Sequence, residues 1–387
     1  MSQICVLDDV VVYRNPYPSF QACEASHTTL CATHSGGLPE LLAGFAVGQA
    51  RASADRRFHL YGSRDGGRSW QGETTPLAEP TTNSGPVAHA GPQLGSLTDG
   101  SVVLALARFS MTTPGKPDWV SAVGGIVDAD ALIAVHRSGS RPIVSSVDLR
   151  RHADEWAIPC GPVTEVAGGR LLLPMERHTL PRIAGWQAHY HAFAAVSTDG
   201  GQHWADAGPT LNDPHKRVVY YDQRFAALPD GRLLTLAWTH DVASDSTLAA
   251  RCGWSDDGGL SWSPPADTPL CGGPLYPLVL PDGRLLVAFT RKAAPAGIRV
   301  TVSEDFGGTW LTDAEVVVWD DELRAVTGER ASVAEGRSPE GPLWGTMWGA
   351  TFGSPALALT GANDVVMVFY CAGADGVRHV RCVRLAA

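Results

Sequence analysis

Short apolar runs separated by tight polar turns recur through this chain of 387 residues. The clearest cases are Leu97-Thr98-Asp99-Gly100-Ser101-Val102-Val103, Leu228-Pro229-Asp230-Gly231-Arg232-Leu233-Leu234 and Leu280-Pro281-Asp282-Gly283-Arg284-Leu285-Leu286. Val166-Ala167-Gly168-Gly169-Arg170-Leu171-Leu172 is a variant, and weaker copies lie at His34 to Leu42 and at Leu359 to Val366. Asp-Gly between apolar runs marks a β-hairpin. Six such units share the chain, each with room for about four strands of ordinary length.

An independent repeat runs in step with the first. The octapeptide S-x-D-x-G-x-[STH]-W starts at Ser63, Ser197, Ser255 and Ser303 and ends at Trp70, Trp204, Trp262 and Trp310. Its Ser and Asp side chains suit local backbone N–H groups, its Gly accepts positive φ, and its Trp suits the gap between neighbouring sheets. The long interval between the first two copies predicts one decayed copy. Repeated units that cannot bury both faces alone predict a closed array. The expected fold is therefore all-β: a six-bladed β-propeller with four antiparallel strands per blade, occupying residues 1–387 as one domain. The last unit ends near Leu385 without room for every strand. The apolar segment Ile4 to Tyr13 is expected to supply the missing outer strand and close the ring.

Composition narrows the partners. A net charge of −10 argues against nucleic acid, which is bound through Lys and Arg. No apolar run reaches 18 residues, so no membrane span is expected. The start Met-Ser-Gln-Ile-Cys lacks a basic, signal-like segment, which implies a cytoplasmic location. Eight Cys lie scattered without a C-x-x-C pair, as expected of buried free thiols, with Cys5, Cys31 and Cys382 in apolar strand contexts. Thirteen His include His189-Tyr190-His191, but no tight multi-ligand motif, so neither a metal nor another cofactor is expected.

The octapeptide resembles the Asp-box, or BNR repeat, of the sialidase (neuraminidase) superfamily, and with the strand markers this resemblance covers essentially the whole chain. It implies a hydrolase of carbohydrate metabolism whose catalytic pocket lies on the propeller axis, on the face away from the Asp-boxes. It places pocket residues just before the first strand of each blade and in the loop between the second and third strands. Sialidases hold the substrate carboxylate with three Arg, and use an Asp acid/base and a Tyr nucleophile. Gly48 to Asp55 looks like the loop carrying that Asp, which makes Asp55 the leading acid/base, with Arg51 beside it. Tyr13-Arg14-Asn15-Pro16 resembles the family's first Arg motif in letters. It falls too early for the first blade, so His27 is the expected pore residue there. Arg251 and Arg299, each four residues before an octapeptide, are candidates for the other two clamp positions. Thr351-Phe352-Gly353-Ser354-Pro355 opens the strand where the nucleophilic Tyr should stand, so this chain is expected to lack the usual nucleophile.

Polar clusters offer further chemistry. Tyr221-Asp222-Gln223-Arg224 enters the fourth blade, and Trp238-Thr239-His240-Asp241 leaves the second strand of the same blade. Glu176 holds the corresponding place in the third blade. Glu176, Asp222 and Asp241 thus join Asp55 as candidate catalytic carboxylates, because most glycoside hydrolysis needs a pair. His27, Arg51, His89, Tyr221, Arg224, His240, Arg251 and Arg299 are the candidate substrate-binding residues. The reading is an exo-acting glycoside hydrolase of sialidase-like type, acting on a terminal, acidic sugar. A lyase acting on uronate-containing oligosaccharides and a non-catalytic glycan-binding propeller are the alternatives.

Overall fold

The computed structural model describes residues 4–16, 24–34, 38–48, 55–74, 87–111, 126–137, 140–152, 155–179, 190–244, 246–293, 295–320, 352–361, 364–372 and 377–387. They form six antiparallel sheets arranged as a six-bladed propeller. Blade one holds β2 (Glu24–Ala32), β3 (Leu41–Gly48), β4 (Arg57–Ser63) and β5 (Gln71–Gly72). Blade two holds β6 (Val87–Ser96), β7 (Val102–Met111), β8 (Ile126–His136) and β9 (Ile143–Val147). In blade three the first strand is split into β10 (Glu155–Pro159) and β11 (Thr164–Val166), both paired with β12 (Arg170–Thr179). The sheet continues through β13 (Tyr190–Ser197) and β14 (Ala205–Leu211). Blade four holds β15 (Val218–Ala227), β16 (Leu233–Asp241), β17 (Ser246–Ser255) and β18 (Ala266–Asp267). Blade five holds β19 (Leu275–Val279), β20 (Leu285–Arg291), β21 (Gly297–Ser303) and β22 (Val316–Asp320). Blade six holds β23 (Phe352–Leu359), β24 (Asp364–Ala372) and β25 (Arg378–Ala386), and its outer strand is β1 (Cys5–Tyr13) from the other end of the chain. The ring closes as expected, and Arg381 and Arg384 pair across the seam with Asp9 and Asp8.

The core is six apolar layers between blades. Leu42, Phe58 and Leu60 meet Leu94, Leu104 and Leu132 between blades one and two, and equivalent layers follow around the ring. Asp-Gly turns join the first two strands as expected. Leu228 and Leu280 donate their N–H to the carbonyls of Arg232 and Arg284 at 2.8 Å, and Gly231 and Gly283 sit at φ 89° and 90°, open to Gly at no steric cost.

Each octapeptide folds around its Asp. Asp65 accepts from the N–H of Arg68 (3.0 Å) and Ser69 (2.9 Å) and from the hydroxyls of Ser63 (2.8 Å) and Ser69 (2.6 Å). These donors hold its carboxyl down at about 2, the Ser69 hydroxyl foremost. Ser63 Oγ in turn accepts from Gly67 N–H at 2.9 Å, and the other three copies repeat that bond. Each turn lies against the preceding blade. A Cβ on Gly259 would stand 2.3 Å from Leu172, and one on Gly201 2.7 Å from Val135. Trp254 of blade four donates to Phe306 O of the next turn at 3.0 Å. The octapeptides thus fasten neighbouring blades. They sit where the third strand meets the start of the second, as in Ser63 opposite Leu41 and Ser255 opposite Leu233.

Among the described residues Cys31, Cys160, Cys252, Cys371 and Cys382 are buried free thiols. Cys5, expected in a buried strand context, is exposed because β1 is the outermost strand of its sheet.

Candidate active site

The first strands surround the axis, and four of them are interrupted in the same way. The pairing of first and second strands slips between Ser26 and Thr29, between Ala90 and Gln93, between Tyr221 and Arg224, and between Gly353 and Ala356. In each bulge the first extra residue takes positive φ: His27 at 54°, Gly91 at 52°, Asp222 at 50° and Ser354 at 52°. A β-bulge bends its strand and re-aims a side chain. Four chemically different residues therefore share one backbone conformation around the axis. Blade three interrupts its first strand by the split at Cys160, and blade five begins its own after Gly272-Gly273-Pro274.

These interruptions line an axial cavity of about 140 Å³ to which all six blades contribute. It opens at the end of the ring away from the octapeptides, since Phe109, Glu176, Trp238 and Thr290 come from the later halves of the second strands. The ionisable lining includes His27, Arg56, Glu176, Asp222, Arg224 and Lys292. Phe109, Trp156, Trp238, Phe352 and Tyr370 supply aromatic wall.

Blades three and four bring two carboxylates together. Glu176, only 4 % exposed at the end of β12, accepts a hydrogen bond from the backbone N–H of Asp222. Arg224 is 6 % exposed and donates to the carbonyls of Asp222 (3.0 Å) and Gln223 (3.1 Å), so it braces the bulge while its charge stays at the cavity. Gln223, fully buried, stitches the bulge to blade three. Its Nε2 donates to Met175 O (2.9 Å) and Phe193 O (2.8 Å), and its Oε1 accepts from Thr210 (2.6 Å) and Thr235 (3.2 Å). Burial drives the Cys160 thiol well above its ordinary value, and the neighbouring Glu176 charge adds to the rise. Cys160 is therefore a protonated wall group rather than a thiolate nucleophile.

On blade one, Arg56 is 3 % exposed and lies 2.7 Å from His27 Nδ1. An arginine donates only, so Nδ1 is the acceptor and the other ring nitrogen carries the proton. Lys292 lies 4.6 Å over the Trp238 ring, close enough for a cation–π contact.

Of the residues singled out in the sequence, the cavity gathers His27, Glu176, Tyr221, Asp222 and Arg224. The others stand elsewhere among the described residues. Asp55 is exposed beside the buried Arg56 and does not line the cavity. Asp241 is turned into its own hairpin, where the Ser244 N–H (2.8 Å) and hydroxyl (3.0 Å) hold its carboxyl below the usual range. His240 is buried two residues beyond Trp238 and outside the lining. His89 accepts from Phe58 N–H at 3.3 Å between blades one and two. Burial, with Arg57 and Arg108, lowers it to about 4. Arg251 pairs with Asp267 at 2.7 Å, and Arg299 donates to Pro295 O at 2.9 Å beside Glu315. Both are on third strands, which stand two strand spacings, roughly 10 Å, out from the axis. Arg51 lies outside the described residues.

Arg56, Lys292, Trp156 and Ser354 also line the cavity and are not among the site residues assigned from sequence, although Arg56 and Lys292 lie in loops after a second strand. Ser354 was readable from the repeat itself, since Ser354-Pro355 stands in its strand as Gly91-Pro92 stands in β6. Among the described residues no group of three or more His, Cys, Asp or Glu side chains is placed to hold a metal ion.

No family model matches the sequence, and no curated protein matches it either. Solved structures do. A protein of unknown function from Dyadobacter fermentans DSM 18053 aligns over all of both chains, with a TM-score of 0.73 and 18% identity. The Hadza microbial sialidase Hz136 aligns over 93% of this chain and 65% of its own, with a TM-score of 0.63 and 14% identity. The GH93 α-L-arabinofuranosidase of Fusarium graminearum, solved as a complex with arabinobiose, aligns over 98% of each chain, with a TM-score of 0.63 and 11% identity. The chain is thus a six-bladed propeller of the architecture these enzymes share, with an ionisable cavity on its axis.

Proposed function

We propose that the protein is an exo-acting glycoside hydrolase that takes one terminal sugar of acidic class into the axial cavity, with Glu176 and Asp222 as its carboxylate pair. The observation that carries this reading is the bond from the Asp222 N–H to Glu176, which joins two carboxylate-bearing residues of different blades at one cavity. The fold-sharing sialidase and arabinofuranosidase support it as relatives in architecture. A cavity of about 140 Å³ is smaller than the roughly 300–1,000 Å³ of sites for drug-sized ligands, which favours one terminal unit over an internal stretch of polymer. Arg56, Arg224 and Lys292 around the same space favour a carboxylate on that sugar.

In the reaction one carboxyl of the pair protonates the departing glycosidic oxygen as the C–O bond breaks. The other acts on the opposite face of the ring, either on the anomeric carbon directly or by deprotonating the incoming water. Water supplies the hydroxyl on the sugar; after direct attack its proton returns to the acid, whereas in the other route the base takes it and both carboxyls re-equilibrate with solvent. Asp55, exposed outside the cavity, is given no part in this.

The test is a panel of aryl sialosides, uronides and pentosides. Glu176→Gln and Asp222→Asn should each lower kcat by about 10²–10⁴-fold with sugar binding kept, the range expected for losing a positioned acid or base. Asp55→Asn should turn over like the parent. Wild-type rates in both Glu176→Gln and Asp222→Asn would remove this reading.

A further inference from the structure

Four bulges aim one position each at the axis with φ between 50° and 54°, and three of them carry a side chain there: His27, Asp222 and Ser354. The fourth is Gly91. Its left-handed backbone favours glycine but does not oblige it, because its three counterparts hold the same φ with side chains. Packing does not require it either. A Cβ on Gly91 would meet only Pro159 O, at 3.7 Å, an ordinary contact. Gly273, also at the axis, is different: a Cβ there would lie 2.4 Å from Trp238.

The space kept open at Gly91 has a distinct chemistry. Pro159 O lies next to it, and blades two and three, on either side, give the cavity Ala107, Phe109, Trp156 and Ile158. The Phe109 and Trp156 rings form a tilted pair with centroids 5.1 Å apart. Arg56, Asp222, Arg224 and Lys292 come from blades one, four and five and Glu176 from blade three beside Ile158, so the wall next to Gly91 is mainly apolar. A pyranose or furanose ring presents C–H faces as well as hydroxyls, and an aromatic wall suits the former.

We infer that Gly91 is a specificity determinant: its missing side chain forms an apolar notch that accepts the C–H face of the bound sugar and sets how large that sugar can be. This rests on the reading of the cavity as a sugar site, and extends it to one position in blade two. A side chain at 91 narrows the range of ligands from the apolar side without touching the carboxylates.

Gly91→Ala and Gly91→Asn test this. Asn tolerates the left-handed region better than other side chains. Gly168→Asn is the control, at φ 82° in the β11–β12 hairpin with nothing within 4 Å of its Cβ. Thermal unfolding should place all three near the parent. Two readouts are taken on each: kcat/KM on aryl pentosides, hexuronides and sialosides, and Kd for arabinose, glucuronic acid and N-acetylneuraminic acid from tryptophan fluorescence. Gly91→Asn should cost about 10–200-fold on the largest sugar the parent accepts, the scale of a steric misfit in a pocket, and progressively less on smaller ones. Gly168→Asn should change neither readout. An equal loss on every sugar, or none, overturns the gate. A parent that binds sugars without hydrolysing them overturns the hydrolase and leaves the gate to be read from the Kd series. A parent that binds none of them overturns both.

Discussion

Removing Gln223 should cost the molecule stability well beyond the size of one surface-remote polar side chain. Its amide satisfies two backbone carbonyls of blade three and two threonine hydroxyls, all in a spot without solvent. Each buried group left unpaired costs about 1–3 kcal/mol, less where a hydroxyl can rotate to another acceptor. The two carbonyls therefore dominate, and the void left by truncation adds a smaller share. Gln223→Ala should lose about 4 kcal/mol. A chain of 387 residues unfolds with an entropy of about 0.8 kcal/mol/K, so the melting temperature should fall by about 5 °C. Gln223→Met separates shape from hydrogen bonding, since it refills the void but donates nothing. Urea midpoints at constant m-value measure both. Gln223→Met should remain at least about 2 kcal/mol below the parent. Were it to unfold within about 1 kcal/mol of the parent, the carbonyls would have found other donors and the stitch would carry no weight.

Two predictions concern pH. Asp65 and Asp257 lie at about 2 when folded, held by the Ser69 and Ser261 hydroxyls first, against 3.8 for a free carboxyl. Their contribution is fully present above about pH 4 and is lost as the pH falls through 2; Asp65→Asn should flatten the melting temperature profile between pH 4 and 2, and an unchanged slope refutes the assignment. His89 lies near 4 against 6.5 unfolded, through burial first and then Arg57 and Arg108. Below pH 6.5 the unfolded chain takes the proton that the folded one refuses, so up to about 3 kcal/mol drains away by pH 4, and His89→Gln should remove that slope.

The fold was legible because its signals are local and repeated. The bonds that shape each octapeptide, among its Ser, Asp and Gly and the N–H groups that follow, lie within the motif, so it reads the same wherever it stands. The closing strand was legible for another reason: the sixth unit lacks room for a fourth strand, and the segment Ile4 to Tyr13 is apolar. The site was legible only in part because the bulges share few letters, the Pro after Gly91 and after Ser354 aside. His27, Gly91, Asp222 and Ser354 share φ but no side-chain chemistry. Strand alternation inverts with a slip of one residue. Such a one-residue difference separates exposed Asp55 from buried Arg56. Arg251 and Arg299 stand apart from the cavity through their depth within the blade, since both pair with carboxylates of fourth strands or the turns leading to them.

The same contrast explains how the ring tolerates a variable centre. In the four blades that carry an octapeptide, the second strand is constrained at its start by that motif, as Leu233 is by Ser255, and Leu234 also meets Gly307 of the following blade's turn. The strand's far end answers to other demands, where Trp238 packs on Gly273 and faces the cavity. Stability is thus concentrated at one face of the propeller and ligand chemistry at the other, a few residues away along the same strand. A bulge in the first strand costs little fastening, because the octapeptide bonds lie beyond the hairpin turn at the opposite end. Substitutions at His27, Gly91 or Ser354 should therefore move ligand preference before they move the melting temperature, whereas Gln223, whose side chain bonds into blades three and four, couples both.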